Sequence, residues 1–109
     1  MADPRRGEVW MVDLGLAAKV RPCAVLSIPA SDQDRALVTM VPHTTSIRGS
    51  QFEVAVKVAF LRAGAFDVQN LVTIPHAKLV RKLGTLTNEQ LSSLEDRVRK
   101  WLGLEKGTP

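Results

Sequence analysis

The chain alternates between short runs of β-forming residues and breaks made of glycine, proline or polar residues. Three such runs occupy its first half: RGEVWMVDL from Arg6 to Leu14, CAVLSI after Pro22, and RALVTMV from Arg35 to Val41. The turn-rich segment 29–34 separates the second run from the third, and Pro42 is expected to end the third. We therefore predict three strands in the first half of the chain.

The second half begins with the clearest periodicity in the sequence. Between positions 52 and 60, large apolar residues alternate with small or charged ones, at Phe52, Val54, Val56, Val58 and Phe60. A period of two is that of a strand with one buried face, so this segment is predicted to be a strand. Another is predicted from Gly64 to Thr73, interrupted at Gln69 and Asn70, and a short charged edge strand from Lys78 to Lys82. The expected total is five or six strands.

A long helix is predicted only near the C-terminus. Apolar residues recur there at helical spacing, at Leu91, Leu94, Val98, Trp101 and Leu102. Thr87 is placed to cap this helix together with Gln90, three residues later, and Leu86 to pack on Leu91 across the cap. Gly103 is expected to end the helix.

These elements predict a small, mainly antiparallel barrel or curved sheet with the C-terminal helix packed against it. The 109 residues are expected to form one domain, with residues 1–5 and 104–109 as flexible tails. Four aromatic residues are assigned to the core: Trp10, Phe52, Phe60 and Trp101. Phe66 is left open, because it could instead line a groove or a subunit interface.

Composition narrows the class of protein. Hydrophobic residues make up 45% and charged residues 24%, the balance of an ordinary globular domain. The formal net charge of +4 favours a polyanionic partner without establishing one. Cys23 is the only cysteine, which excludes an intrachain disulfide and indicates a reducing compartment. With no signal-peptide pattern and no apolar stretch long enough to cross a bilayer, the cytoplasm is the expected location.

Familiar catalytic signatures are missing: the sequence has no Walker loop, no GxSxG and no HExxH. His43 and His76 stand 33 positions apart without an obvious carboxylate companion, so neither a metal site nor a cofactor is predicted.

Polar residues instead gather at two strand ends. Arg21 opens the second predicted strand and Thr44 follows the third, and an antiparallel hairpin would bring those two ends to the same edge. A guanidinium beside a hydroxyl suits a phosphodiester, since both groups donate hydrogen bonds to phosphate oxygens. Two simpler interpretations stay open: a surface ion pair for Arg21 and turn capping for Thr44.

The order of short motifs carries further information. RGEVWMVDL, VRPCAVLS, VPHTTS followed by FEV, and QNLVTI before the helix together resemble the MazF/PemK family of toxin endoribonucleases, over about Arg6 to Leu102. The most specific pieces are Arg21-Pro22 and Pro42-His43-Thr44. The resemblance implies an SH3-like curved sheet, a homodimer, and metal-independent cleavage of single-stranded RNA to 2′,3′-cyclic phosphate and 5′-hydroxyl ends. It also implies inhibition by a MazE-like antitoxin with an acidic, disordered C-terminal tail.

By motif, the resemblance assigns catalytic roles to Arg21 and Thr44. It implies RNA contacts for the residues around them, with phosphate contacts expected from Thr45, Ser46 and Arg48, and base contacts from Gln69 and Asn70. Lys19, in the loop before the second strand, is a further candidate for phosphate contacts, and its alternative interpretation is a solvated loop lysine. Two departures from the family pattern stand out: the loop from Gly15 to Val20 is short, and Gln69 occupies a position where many relatives carry aspartate. Both favour an alternative, an SH3-like module that binds nucleic acid or peptide without cleavage. A gyrase-directed toxin, as in the related CcdB family, is a third possibility that has no use for Arg21 and Thr44.

Overall fold

Seven strands and a C-terminal helix form the part of the chain that the computed structural model describes, residues 3–15 and 20–104. The strands are β1 (Glu8–Asp13), β2 (Val20–Val25), β3 (Leu37–Thr44), β4 (Glu53–Val54), β5 (Ala65–Asp67), β6 (Val72–Pro75) and β7 (Leu79–Thr85), and the helix is α1 (Asn88–Leu102). Short 3-10 turns at Val68–Asn70 and His76–Lys78 connect β5 to β6 and β6 to β7. Within the described residues, no helix is long and apolar enough to cross a membrane.

All seven strands belong to one antiparallel sheet. Along the sheet the order is β4-β5-β3-β2-β1-β7, and β6 pairs with β3 on the same side as β5. In the described part of the chain the end strands β4 and β7 are not paired with each other, so the sheet curls without closing. The predicted curved antiparallel sheet with a C-terminal helix is confirmed.

The curled sheet has an apolar cluster on each of its faces. The first lies under α1 and consists of Val9, Ala24, Val41, Val54, Val58, Phe66, Val68, Leu86 and Leu94. The second consists of Val12, Cys23, Val25, Val38, Met40 and Ile74. Successive residues of a strand point to opposite faces, which explains why the continuous apolar run in β2 divides between the two clusters.

Helix α1 begins and ends where the sequence predicts. The Gln90 backbone N–H donates to Thr87 Oγ1 at 3.1 Å, and the Thr87 backbone N–H donates to Gln90 Oε1 at 2.9 Å, which completes a capping box. Gly103 has a left-handed φ of 70° and its N–H donates to the Lys100 carbonyl. Leu94 is the fully buried residue of the helix and anchors it on the sheet.

Replacing Thr87 with alanine should therefore lower the free energy of unfolding by about 1 kcal/mol, because the Gln90 N–H loses its acceptor at the first turn. Urea unfolding monitored by circular dichroism measures this change. Thr87→Ser keeps the hydroxyl and should stay close to the parent protein. Equal midpoints for the alanine and serine variants would contradict the assigned cap.

The predicted strand from Phe52 to Phe60 is wrong, because only Glu53 and Val54 pair with a neighbouring strand. Beyond them the backbone turns, with the Leu61 N–H donating to the Val58 carbonyl. Val54 and Val58 still reach the first cluster, and the Lys57 carbonyl accepts a side-chain N–H of Gln90 at 2.7 Å. The alternation of apolar residues therefore reflects the burial of side chains against the core and α1. It does not reflect backbone hydrogen bonds to a neighbouring strand.

Strand β3 does not end at Pro42 as predicted but continues to Thr44. Pro42 is the last residue of β3 that pairs with β2, and the next two residues, His43 and Thr44, pair with β5. Proline has no backbone N–H to donate, and it is tolerated here because it lies where β3 changes its pairing partner. The segment from Gly64 to Thr73 is divided into β5, a 3-10 turn and the start of β6, with Gln69 and Asn70 in that turn. The predicted edge strand is present as β7 and is longer than expected.

The aromatic residues follow the core prediction only in part. Trp10 and Phe52 are half-buried and pack against the clusters, but Phe60 and Trp101 are 39% and 42% exposed. Phe60 follows the point where the chain leaves the sheet, and Trp101 lies in the last turn of α1 with its ring 5.2 Å from that of Phe52. Phe66 is fully buried, which assigns it to the core.

Of the predicted tails, residues 3–5 and 104 are described. Pro4 is fully buried and the Arg5 backbone N–H donates to Glu8 Oε1 at 2.9 Å. Leu104 is exposed, although its N–H donates to the Arg99 carbonyl. Residues 1–2 and 105–109 lie outside the described part of the chain.

Candidate active site

A cleft of about 510 Å³ opens at the edge of the sheet where β2 begins and β3 ends. We call it the Thr44 cleft. Its lining combines polar, charged and apolar residues and comprises Asp13, Leu14, Arg21, Pro42, Thr44, Ser46, Arg48, Glu53, Asp67, Asn70, Val72, Ile74, Pro75 and Lys78. Four of the predicted site residues in addition to Thr44 therefore share this cleft, namely Arg21, Ser46, Arg48 and Asn70.

Strand register explains why Arg21 and Thr44 lie together. Cys23 pairs with Pro42, and each of the two site residues lies two positions beyond that pair along its own strand. Because side chains alternate between faces, a step of two keeps both on the face that Cys23 and Pro42 share. Proximity of Arg21 and Thr44 was expected from the sequence, and the structure places both in one cleft.

The same register brings in Asp67, which the sequence analysis did not single out. Thr44 pairs with Ala65 of β5, and Asp67 lies two residues farther along that strand. In the pairing of β5 with β4, the partner of Asp67 is Glu53, which also lines the cleft. Four neighbouring strands thus direct polar side chains to one face.

Thr44 is held at both its side chain and its backbone. Its Oγ1 accepts the Ser46 backbone N–H at 3.0 Å, which leaves the hydroxyl hydrogen to point at a ligand. On the backbone side, Gly64 approaches so closely that a Cβ there would fall 2.2 Å from the Thr44 carbonyl oxygen. Neighbouring His43 is 5% exposed with its ring edge-on to Phe66 at 5.0 Å, and burial lowers the pKa of its imidazole.

Glu53 braces the loop that follows Thr44. Its carboxylate accepts the backbone N–H groups of Arg48, Gly49 and Ser50 at 2.7 to 3.0 Å. The Arg48 N–H is the largest cause of the lowered pKa of Glu53, and the other two N–H groups act in the same direction. The bonds keep this loop, with Arg48 on it, beside the cleft.

Arg21 also faces a second cleft of about 690 Å³, here called the Phe60 cleft. Three arginines contribute to it, Arg21, Arg62 and Arg81, beside apolar residues that include Phe60. Thr45 lines this second cleft and not the first, since it is the next residue along the chain and points the other way. Arg21 thus belongs to the wall between the two clefts.

The remaining predicted contacts are Gln69 and Lys19. Gln69 is exposed and lines neither cleft. Lys19 lies outside the described residues, as does most of the short loop before β2.

Four lining residues went unnoticed in the sequence: Asp13, Glu53, Asp67 and Lys78. Asp67 and Lys78 come from segments distant in the chain, and only the pairing of β5 and β6 with β3 brings them to Thr44. For Asp13 a signal existed, because it ends β1 directly beside the strand that starts with Val20 and Arg21. Among residues 3–15 and 20–104, no group of three or more His, Cys, Asp or Glu side chains could hold a metal ion.

The family of the chain is shown by comparison with known proteins. Residues 5–102 match the family model described as PemK-like, MazF-like toxin of type II toxin-antitoxin systems. The chain belongs to this family, which confirms the resemblance found in its motifs.

Individual relatives agree with that assignment. The chain is 30% identical, over 94 residues, to the probable endoribonuclease MazF5 of Mycobacterium tuberculosis, with 84% of this chain and 85% of that protein covered. A mycobacterial endoribonuclease solved in complex with its cognate antitoxin is 27% identical, with a TM-score of 0.78 over 96% of this chain and 98% of that one. The M. tuberculosis toxin MazF-mt6 is 28% identical, with a TM-score of 0.76 over 90% and 98%.

Proposed function

We propose that this protein is an endoribonuclease toxin that cleaves single-stranded RNA without a metal ion. The observation that carries the proposal is the meeting of the Arg21 guanidinium and the Thr44 hydroxyl in one cleft, in a chain of this toxin family. The same cleft includes Arg48 and Lys78, two further cationic side chains that could bind phosphates of an RNA backbone.

The reaction uses the substrate's own nucleophile. The 2′-hydroxyl oxygen attacks the adjacent phosphorus and gives its proton to a base, the bond from phosphorus to the 5′-oxygen breaks, and that oxygen takes up a proton as it leaves. The products are a 2′,3′-cyclic phosphate and a 5′-hydroxyl. No nucleophile from the protein is required, in keeping with the lack of a Ser, Cys or His signature in the sequence.

Arg21 and Thr44 act on the charge that develops at phosphorus. The guanidinium stays protonated in proteins, so its role is to donate hydrogen bonds to the non-bridging oxygens of the crowded phosphorane. Thr44 donates its hydroxyl hydrogen to one of the same oxygens, because the Ser46 N–H bonds to a lone pair of the hydroxyl oxygen and leaves that hydrogen available. These groups, with Arg48 and Lys78, supply the electrostatic stabilisation that a divalent cation gives in metal-dependent nucleases.

The expected partner in the cell is an antitoxin. An acidic, disordered tail would compete with RNA for the arginines of both clefts, because carboxylates and phosphates make the same bidentate bonds with guanidinium. The cytoplasm is where such a toxin meets messenger RNA. The homodimer implied by the family resemblance stays a prediction.

Incubation of the purified protein with a long, weakly structured RNA in excess EDTA tests the proposal. We expect discrete cuts whose new 5′ ends accept phosphate from polynucleotide kinase without prior phosphatase treatment, as 5′-hydroxyl ends do. Primer extension locates the cuts. Cleavage that appears only when a divalent metal is added would contradict the mechanism, and intact RNA with retained binding would favour the non-catalytic binding module instead.

A further inference from the structure

The Thr44 cleft contains one carboxylate that accepts no backbone N–H within the described residues and to which the proposed mechanism assigns no role. Asp13 accepts the Gly15 N–H at 2.9 Å, and Glu53 braces the loop at 48–50. Asp67 differs, because its Oδ2 accepts the side-chain Nδ2–H of Asn70, and it has no backbone donor within the described residues. Both members of this pair line the cleft.

The Asp67 carboxylate does not cap the turn that follows it. Asp67 precedes the 3-10 turn at Val68–Asn70, a position where an aspartate commonly accepts a backbone N–H of the turn, yet its side chain makes no capping bond. The turn is anchored at Val68, whose side chain is fully buried and whose N–H donates to the Phe52 carbonyl at 3.0 Å. The carboxylate and the amide are therefore presented to the cleft on a rigid support.

Charge indicates which part of an RNA chain this pair would meet. An ionised carboxylate repels phosphate, whereas the cationic residues of the same cleft attract it. Asp67 therefore marks the part of the cleft that takes a base, and as an acceptor-only group it selects bases that present N–H donors. In single-stranded RNA the Watson–Crick edges are free to be recognised in this way.

We propose that Asp67 and Asn70 select guanine in the RNA bound beside Thr44, an inference that rests on the proposed RNA-cleaving function. Guanine alone carries two adjacent donors on its Watson–Crick edge, N1–H and N2–H, which a carboxylate accepts side by side. The second Nδ2–H of Asn70, turned by its bond to Asp67, donates to guanine O6. The other three bases place an acceptor next to their donor, and that acceptor would face the carboxylate lone pairs.

The test measures binding, so that it does not depend on cleavage. The protein is titrated against three 2′-O-methyl RNA hexamers, which lack the attacking hydroxyl, and binding is followed by fluorescence anisotropy. The first hexamer has one guanine among uracils, the second has inosine in place of that guanine, and the third is all uracil. The parent protein should bind the guanine hexamer about tenfold more tightly than either of the others, since inosine lacks the N2 amino group. In Asp67→Asn this preference should fall to within about twofold.

Two comparisons separate this inference from other causes. Equal affinity of the parent protein and Asp67→Asn for the all-uracil hexamer shows that the fold and the phosphate contacts survive. Asp32→Asn makes the same chemical change at an exposed turn outside both clefts and should keep the full guanine preference. An unchanged preference in Asp67→Asn, or a parent protein that favours no guanine, would overturn the proposal. Guanine-selective binding without any RNA cleavage would instead leave this inference standing and refute the proposed function.

Discussion

Replacing Arg21 with alanine is expected to lower the rate of RNA cleavage by about a hundred- to a thousandfold, the usual effect of removing one donor to a developing oxyanion. The guanidinium lines both clefts, and under the proposed function an RNA strand passing from one cleft to the other would place a phosphate beside it. The loss should appear in the rate at saturating RNA, because the donor matters most when charge builds up at phosphorus. Single-turnover cleavage of a short RNA carrying one mapped cut site measures it.

Two further variants define what Arg21 contributes. Arg21→Lys keeps the charge but loses the planar fork, so it should fall between the parent protein and the alanine variant. Arg35→Ala removes an exposed arginine that lines neither cleft and should cut at the parent rate. A parent-like rate for Arg21→Ala would show that this guanidinium is not needed, and an equal loss in Arg21→Ala and Arg35→Ala would show that positive charge in general supports the reaction.

Replacing Gly64 with alanine is expected to impair both stability and cleavage. The new Cβ would lie 2.2 Å from the Thr44 carbonyl oxygen and 2.8 Å from His43 Cε1, distances that no folded structure tolerates. The first of these atoms belongs to the backbone, so β3 itself must move at its end. Overpacking of this kind lowers the free energy of unfolding by about 1–3 kcal/mol. Displacement of the Thr44 hydroxyl by a fraction of an ångström to 1 Å should lower cleavage by about ten- to a hundredfold.

Urea unfolding and single-turnover cleavage of the same preparation separate the two effects. Gly103→Ala provides the matched control, since a Cβ there meets no atom within 4 Å and only strains the left-handed backbone at the end of α1. This control should be less stable than the parent protein and yet cleave at the parent rate while folded. A folded Gly64→Ala variant that also cleaves at the parent rate would show that the approach of residue 64 does not position Thr44.

Local sequence signals were enough to predict the helix and most of the strands. The capping box of Thr87 and Gln90 and the left-handed Gly103 depend on contacts within a few residues, so their sequence signature is complete. The segment 52–60 shows the opposite case, because burial of alternate side chains looks the same whether the backbone pairs in a sheet or lies against a helix. Only the neighbours of its N–H and carbonyl groups distinguish the two.

The site residues show the same difference between local and long-range contacts. Proximity of Arg21 and Thr44 was predictable because consecutive antiparallel strands bring the start of one to the end of the next. The position of Thr45 on the other cleft was equally implicit in the alternation of a strand, once β3 was known to continue past Pro42. By contrast, both Gln69 and Asn70 are exposed, and that only Asn70 lines the Thr44 cleft follows from a 3-10 turn whose anchor is the distant Phe52 carbonyl.

The sequence by itself determined the family, through its motifs, and the curved antiparallel sheet, the terminal helix and the presence of Arg21 and Thr44 in one cleft, because these depend on local propensity or on consecutive strands. Tertiary structure alone decided that Asp67, Asn70 and Lys78 complete the Thr44 cleft. Those residues reach it through pairings of β5 and β6 with β3, across separations of 20 residues or more. Contacts of that range depend on the folding of the whole sheet, and the pattern around any one residue does not record them.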